Sequence, residues 1–264
     1  MSHYGPKPLV QRHWDARAAA NFMLGGTGAG LLVASVIAVP APRSAILLSL
    51  VLVAAGLGAV WLEIGRKLRA IHVFFNPMTS WMSRESLAAL VLFALGICAL
   101  LLEPAWLQLA TALAALAFVY CQARILRASK GIPAWRAPEV VPLILASALA
   151  EGAGAALLFD PGPLALPLFA LALVARAIAW SAFRRALKDA RCLAALAPAG
   201  KALMQLGTVL PLALLLAAYA VPQAALLAAI AAVATGWRFK FVLVTRAAFN
   251  QGFALPHLPV RGAR

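Results

Sequence analysis

Acidic residues are scarce in this chain: 8 Asp and Glu stand against 23 Lys and Arg. Charged residues of either sign make up only 12% of the sequence, about half the share typical of a soluble domain. So few charges do not cover a water-exposed surface, and a soluble globular domain is excluded. Cysteine is short too, with Cys98, Cys121 and Cys192 scattered and no CxxC pair. Three isolated thiols do not supply the closely spaced ligand sets of a structural zinc or an iron–sulfur cluster. The four histidines, His3, His13, His72 and His257, fall in the terminal segments and one loop. A haem inside a helical bundle takes its histidines from within spans, so no intrinsic haem is expected. The first 15 residues lack the apolar core of a signal peptide, so the first helix is expected to be retained. No repeat of 20–50 residues is visible.

What the chain has in plenty is apolar sequence. Hydrophobic residues reach 64%, in repeated runs of about 20, the length a helix needs to cross a bilayer. Segments in lipid must satisfy their own backbone hydrogen bonds, and unbroken Leu/Ala runs do so as helices. The expectation is a single all-α, polytopic membrane domain over 1–264, with eight transmembrane helices near 17–39, 44–64, 86–102, 104–126, 139–159, 163–183, 202–221 and 223–245. Proline and glycine punctuate most of the gaps, as at Pro40 and Pro42, Pro104, Pro133 and Pro138, and Pro222.

The net charge of +15 is explained by position. With eight spans, all Lys and Arg except Arg43 and Arg176 fall on the side shared by the termini and the 2–3, 4–5 and 6–7 connections. Basic loops stay in the cytoplasm, so both termini are expected on the cytoplasmic face of the inner membrane. No basic patch is interleaved with aromatics for stacking bases, and no nucleic-acid partner is expected.

Polar groups inside the apolar runs are functional candidates by default. Asn21 lies one turn into the first helix, beyond Trp14 and Arg17 at its entry. Gly26 and Gly30 come next with GxxxG spacing, which favours close helix packing. In the second half, Glu151 and Arg176 sit within spans five and six and are expected to form an intramembrane polar pair. The 6–7 connection FRRALKDARCLAALAPAGK is basic and partly amphipathic, suited to anionic lipid or to a partner. The densest polar stretch is 65–85, GRKLRAIHVFFNPMTSWMSRE, which carries Arg66, Lys67, Arg69, His72 and Arg84 just after Glu63.

Two segments carry a resemblance: RAAANFMLGGTGAG in helix one, and EIGRKLRAIHVFFNPMTSWMSRE from the end of helix two into helix three. Together they resemble the membrane-anchor subunits of dimethyl sulfoxide reductase-type complexes, the NrfD-like quinol-interacting anchors. The resemblance covers the N-terminal half best. It implies an anchor without haem or cluster of its own that binds ubiquinone or menaquinone near the membrane surface. Electrons would pass between that quinone and an iron–sulfur subunit, docked on the side of the N-terminus and serving a Mo/W bis-pterin catalytic subunit. Relatives of the sulfoxide reductase branch often carry His where this chain has Glu63. A branch with cytoplasmic soluble subunits, such as the phenylacetyl-CoA:acceptor oxidoreductases, is the nearer likeness.

A quinone site needs an apolar slot, hydrogen-bonding groups at the ring oxygens and groups that exchange protons with water. Asn21, Glu63, Arg66, His72 and Tyr120 are the candidates. His changes charge near neutral pH and can shuttle a proton, Glu63 could accept one, and Tyr120 shares a helix face with Arg124. Alternatives are a secondary transporter, with its site near the midplane, and a structural anchor without redox contact.

Overall fold

The computed structural model describes residues 8–38, 42–159 and 163–251. Among them every extended element is helical; the sole strand-like feature is an antiparallel bridge between Val10 and Phe249. Among the described residues eight long helices run in chain order, with a single short turn of helix at Pro133–Arg136 between the fourth and fifth. They are α1 (Ala16–Ile37), α2 (Arg43–Glu63), α3 (Trp81–Leu102), α4 (Ala105–Ala128), α5 (Val140–Ala156), α6 (Ala165–Ala186), α7 (Ala190–Ala217) and α8 (Gln223–Arg246). Seven are long and apolar enough to cross a membrane; α5, at 17 residues, is shorter. Large apolar side chains such as Leu47, Val51, Leu90, Ile97, Leu113 and Ile230 are exposed, as they should be where lipid is the solvent. The chain is a membrane protein built as a helical bundle.

Local chemistry sets the helix ends. Asp15 caps α1, accepting from the Arg17 N–H at 2.7 Å, and its carboxylate pairs with the Arg17 guanidinium at 2.8 Å. That side-chain hydrogen bond holds Asp15 below the usual carboxylate range. Arg17 also donates to the Leu62 carbonyl at 3.2 Å, pinning the start of α1 to the end of α2. Ser80 caps α3 by accepting from the Ser83 N–H. Asp189 caps α7, accepting from the Arg191 and Cys192 N–H groups at 3.0 Å each. At the opposite end of the bundle, Glu103 ends α3 in the left-handed region (φ 62°) and is ion-paired to Arg43 at the start of α2.

Three helices contain a wider π turn: Asn21–Gly25 in α1, Gln205–Val209 in α7 and Val242–Arg246 in α8. Such bulges release carbonyls from the helical ladder and often mark functional positions.

Packing centres on α1, which lies between α2, α4 and α5. Gly30 crosses Gly152 of α5 so closely that a methyl on either would overlap the other helix's backbone. The expected packing role of Gly30 is met by Gly152. Gly26 makes room for something else, the ammonium of Lys240, 2.7 Å from where its Cβ would stand. The N-terminal segment is clasped to the C-terminal one: Asn250 N–H donates to the Leu9 carbonyl at 2.8 Å, and Gln11 N–H to the Ala248 carbonyl at 2.9 Å. Trp14 stacks on Trp135 at 4.8 Å, and the Trp135 indole donates to the Leu243 carbonyl at 2.8 Å.

Two helix starts are displaced by more than two residues from the sequence expectation, and the fifth, sixth and seventh helices end at Ala156, Ala186 and Ala217 rather than 159, 183 and 221. The third helix starts at Trp81 rather than 86, because Ser80 caps the SWMSRE segment into its first turn. The seventh starts at Ala190 rather than 202, so most of the basic 6–7 connection is helix and only 187–189 is a link. Pro198 hid this continuity; the helix passes through it. His3, His257, Pro40 and Lys7 lie outside the described residues.

Candidate functional site

The π turn of α1 projects Asn21 into the bundle. Its Nδ2 donates to Glu85 Oε1 of α3 at 2.9 Å, and its backbone carbonyl accepts from Gln122 Nε2 of α4 at 3.0 Å. All three residues are buried, Gln122 completely. Glycines permit the approach. A methyl on Gly25 would stand 2.9 Å from Gln122 Nε2 and 3.1 Å from Asn21 Oδ1, and one on Gly56 of α2 would stand 3.2 Å from Asn21 Cα. The network is left incomplete: Asn21 Oδ1 and Gln122 Oε1 are buried without a hydrogen-bond partner among the described residues. Buried polar atoms ordinarily find partners, and unsatisfied ones are costly.

Two neighbouring hollows of about 280 and 440 Å³ meet at this network, and both are lined by Asn21, Val60, Ile64, Met82 and Glu85. They occupy the wedge between α2 and α3, below the 3₁₀ turn Lys67–Phe74. The smaller is bounded by Trp14 and Glu63, the larger by Leu57, Trp61, Ile71, Phe74 and Phe93. The cleft is therefore an apolar slot whose floor is a carboxylate and an amide, Glu85 and Asn21, with Gln122 holding Asn21 from behind, the general form of a small-ligand site.

The sequence candidates divide around this cleft. Asn21 forms its floor and Glu63 lines its wall. Arg66, just before the 3₁₀ turn, and His72, on it, are exposed; His72 Nδ1 lies 3.1 Å from the Arg69 carbonyl, and its ring meets Phe75 edge-on. Neither lines the cleft, although their neighbours Ala70, Ile71 and Val73 do. Tyr120 is part-exposed on α4, where it meets the Trp81 ring edge-on and its hydroxyl accepts from Arg124 at 2.6 Å.

Glu85 and Gln122 were missed by sequence reasoning. Glu85 closes the basic SWMSRE segment and reads as a helix-start acid, and Gln122 reads as a polar residue near a span end. Their depth comes from α3 starting at Trp81 and from the approach of α4 to α1. The one sequence signal was an uncompensated acid at the edge of a span, which is costly unless partnered.

A second buried cluster lies deeper. Glu151 Oε2 accepts from Lys240 Nζ at 2.8 Å and from Thr27 Oγ1 at 2.6 Å, and Thr27 Oγ1 in turn accepts from the Trp237 indole at 2.8 Å. The expected pairing of Glu151 with Arg176 is corrected here. The partner is Lys240, because the glycine at position 26 leaves its ammonium room against α1. Arg176 donates instead to the Ala232 carbonyl at 3.0 Å and to the Gly207 carbonyl within the π turn of α7. It stays within electrostatic reach of Glu151. Lys240, counted by sequence among the C-terminal basic residues, is fully buried.

No protein-family model matches the chain, and no curated protein matches its sequence.

Proposed function

We propose that the chain is the membrane anchor and quinone-reactive subunit of a multi-subunit oxidoreductase. The observation that carries this reading is the apolar cleft ending on the buried Asn21–Glu85–Gln122 network. The fit is chemical. A quinone ring and tail need apolar walls, which Leu57, Val60, Phe74 and Phe93 supply, and two oxygens to be met by polar groups, one at the floor and one at the mouth. Among the described residues the floor offers the Asn21 amide and the Glu85 carboxyl, and the mouth offers Glu63.

A bound quinone supplies the two-electron, two-proton couple. The chain's residues position the ring and manage the protons. Glu85, buried and held by Asn21, can keep a proton facing the slot; Asn21 can turn its amide from Glu85 to a ligand oxygen. Glu63, half-exposed at the end of α2, can exchange protons with water. Arg66 and His72, at the turn above, can hold the local field positive and relay protons from solvent.

On the same reading an iron–sulfur subunit, and beyond it a Mo/W catalytic subunit, docks on the face bearing the 65–79 turn. Leu68 and Met78 there are 93% and 83% exposed beside Lys67 and Arg69, a mixed apolar and basic surface suited to a docked protein. Loop charge supports a cytoplasmic location for this face, in the inner membrane. An eight-pass topology is supported by the pairing of Leu9–Gln11 with Ala248–Asn250. An even number of passes brings the two ends together, with α5, about 26 Å long at 1.5 Å per residue, as the shortest.

The test is binding of ubiquinone and menaquinone analogues to the purified chain, read by quenching of Trp14 and Trp61. Wild type should bind, and Glu85→Gln and Asn21→Ala should each weaken binding about tenfold, the loss of one hydrogen bond to a charged or buried partner. Equal affinity in all three would remove the cleft from consideration. Co-purification of a cluster-bearing protein tests the partner. The mid-membrane Glu151–Lys240 pair favours, as a second reading, a secondary transporter; solute uptake into vesicles without any redox partner would support it.

A further inference from the structure

Away from the cleft, a groove of about 620 Å³ opens between α6 and α7. Trp180, Leu193, Ala197 and Met204 form its apolar floor, and Arg184 and Lys201 stand on its edges. Both cations are exposed and have no ion-pair or hydrogen-bond partner among the described residues. Gly200 shapes the groove: a methyl there would overlap the Trp180 ring, so the missing side chain lets the indole pack close against α7.

Helix length fixes the depth of these charges. About 20 residues span the roughly 30 Å of hydrocarbon. Counted from Ala165, the start of α6, that distance ends at Arg184. Counted back from Ala217, the end of α7, it ends at Pro198, three residues before Lys201. The two cations therefore sit at one border of the apolar layer, with the floor residue Met204 just inside it. Long basic side chains at that depth extend toward the headgroups.

We propose that this groove binds one anionic phospholipid, its phosphate between Arg184 and Lys201 and an acyl chain along Trp180, Ala197 and Met204. The unpaired positive edges match an anionic headgroup, as basic pockets between transmembrane helices do elsewhere. A zwitterionic headgroup would bring its own cation against the same two charges. A water-soluble partner does not reach Trp180 and Met204, the part of the floor that lies within the hydrocarbon layer.

The test is native mass spectrometry of the full chain, delipidated and titrated with phosphatidylglycerol or phosphatidylcholine. Wild type should retain phosphatidylglycerol in preference. Arg184→Ala/Lys201→Ala should bind it about thirtyfold more weakly, a factor of about five for each cation near a charged lipid. Arg127→Ala/Lys130→Ala, which removes the same charge elsewhere, should bind as wild type. Arg184→Lys should retain most of the affinity, showing that the fold tolerates change at that position. Ala197→Trp should displace the lipid while keeping both cations. Equal losses in the two double variants, equal retention of phosphatidylcholine, or displacement by excess inorganic phosphate would overturn the proposal.

Discussion

Replacing Lys240 by Met leaves the Glu151 carboxylate inside the bundle with its principal counter-charge gone. Both side chains are fully buried and 2.8 Å apart, and removing one partner of such a pair costs about 3–5 kcal/mol. The structure refines that range by direction. After Lys240→Met, Glu151 keeps the Thr27 hydroxyl and the nearby positive charge of Arg176, so the cost should fall at the lower end. After Glu151→Gln, Lys240 and Arg176 remain as two buried cations that repel each other, and the cost should be the larger. A loss of about 3 kcal/mol lowers the thermal midpoint of a chain near this size by about 6–12 °C. The assay is thermal unfolding of the purified protein in one detergent, monitored by tryptophan fluorescence. The double variant Lys240→Met/Glu151→Gln should be more stable than Glu151→Gln alone, because it removes the stranded charge. Single variants within about 1 kcal/mol of wild type, or an additive double variant, would refute the reasoning.

Other contacts carry their own expected outcomes. Gly152→Leu should prevent the α1–α5 crossing at Gly30 and abolish folded protein on size-exclusion chromatography, whereas Gly58→Ala, which meets nothing nearby, should be silent. His72→Ala, at an exposed position off the cleft, should leave quinone-analogue affinity within about twofold, less than the loss of one net hydrogen bond, while Glu85→Gln reduces it; a slower turnover with unchanged affinity would mark His72 as a proton relay. Asp189→Ala should cost about 1 kcal/mol through loss of the α7 cap. Burial pushes the Asp189 carboxyl up, but the hydrogen bonds from Cys192 and Arg191 outweigh it and leave the group below its ordinary value. Its contribution is therefore full above the unfolded value of about 3.9 and fades as pH falls through the lower native value. Asp189→Asn should keep the cap at neutral pH and lose that dependence in a pH series of melts.

Hydropathy made the helices legible because lipid imposes one simple rule on every span, and only two starts were displaced by more than two residues. At 81–85 the polar residues of SWMSRE read as loop, yet the Ser80 cap turns them into helix. At 190–201 a proline and basic residues read as a connection, yet the helix continues through them. The cleft was half legible. Asn21 and Glu63 stood out as polar groups at span ends, whereas Glu85 and Gln122 become site residues through a helix–helix approach that no local pattern encodes. The Glu151 pairing failed for a related reason. Two opposite charges in consecutive spans suggested a couple, but the real partner, 89 residues away in sequence, is selected by a missing side chain at Gly26.

The π turn at Asn21–Gly25 has a consequence for how the first helix can change over evolutionary time. A π turn adds one residue to an α-helix without altering the turns beyond it. Removing one residue between Ala20 and Gly26 would restore regular geometry and leave Gly30 still facing Gly152. The same deletion would also leave Trp14–Ala19 in place against Leu62 and Trp135, and would undo only the wide turn that carries Asn21 into the bundle. Descendants or relatives with an unbroken first helix should therefore show a one-residue gap at this point. They should also have lost the amide floor of the cleft while keeping the terminal clasp, so that the two features appear and disappear independently.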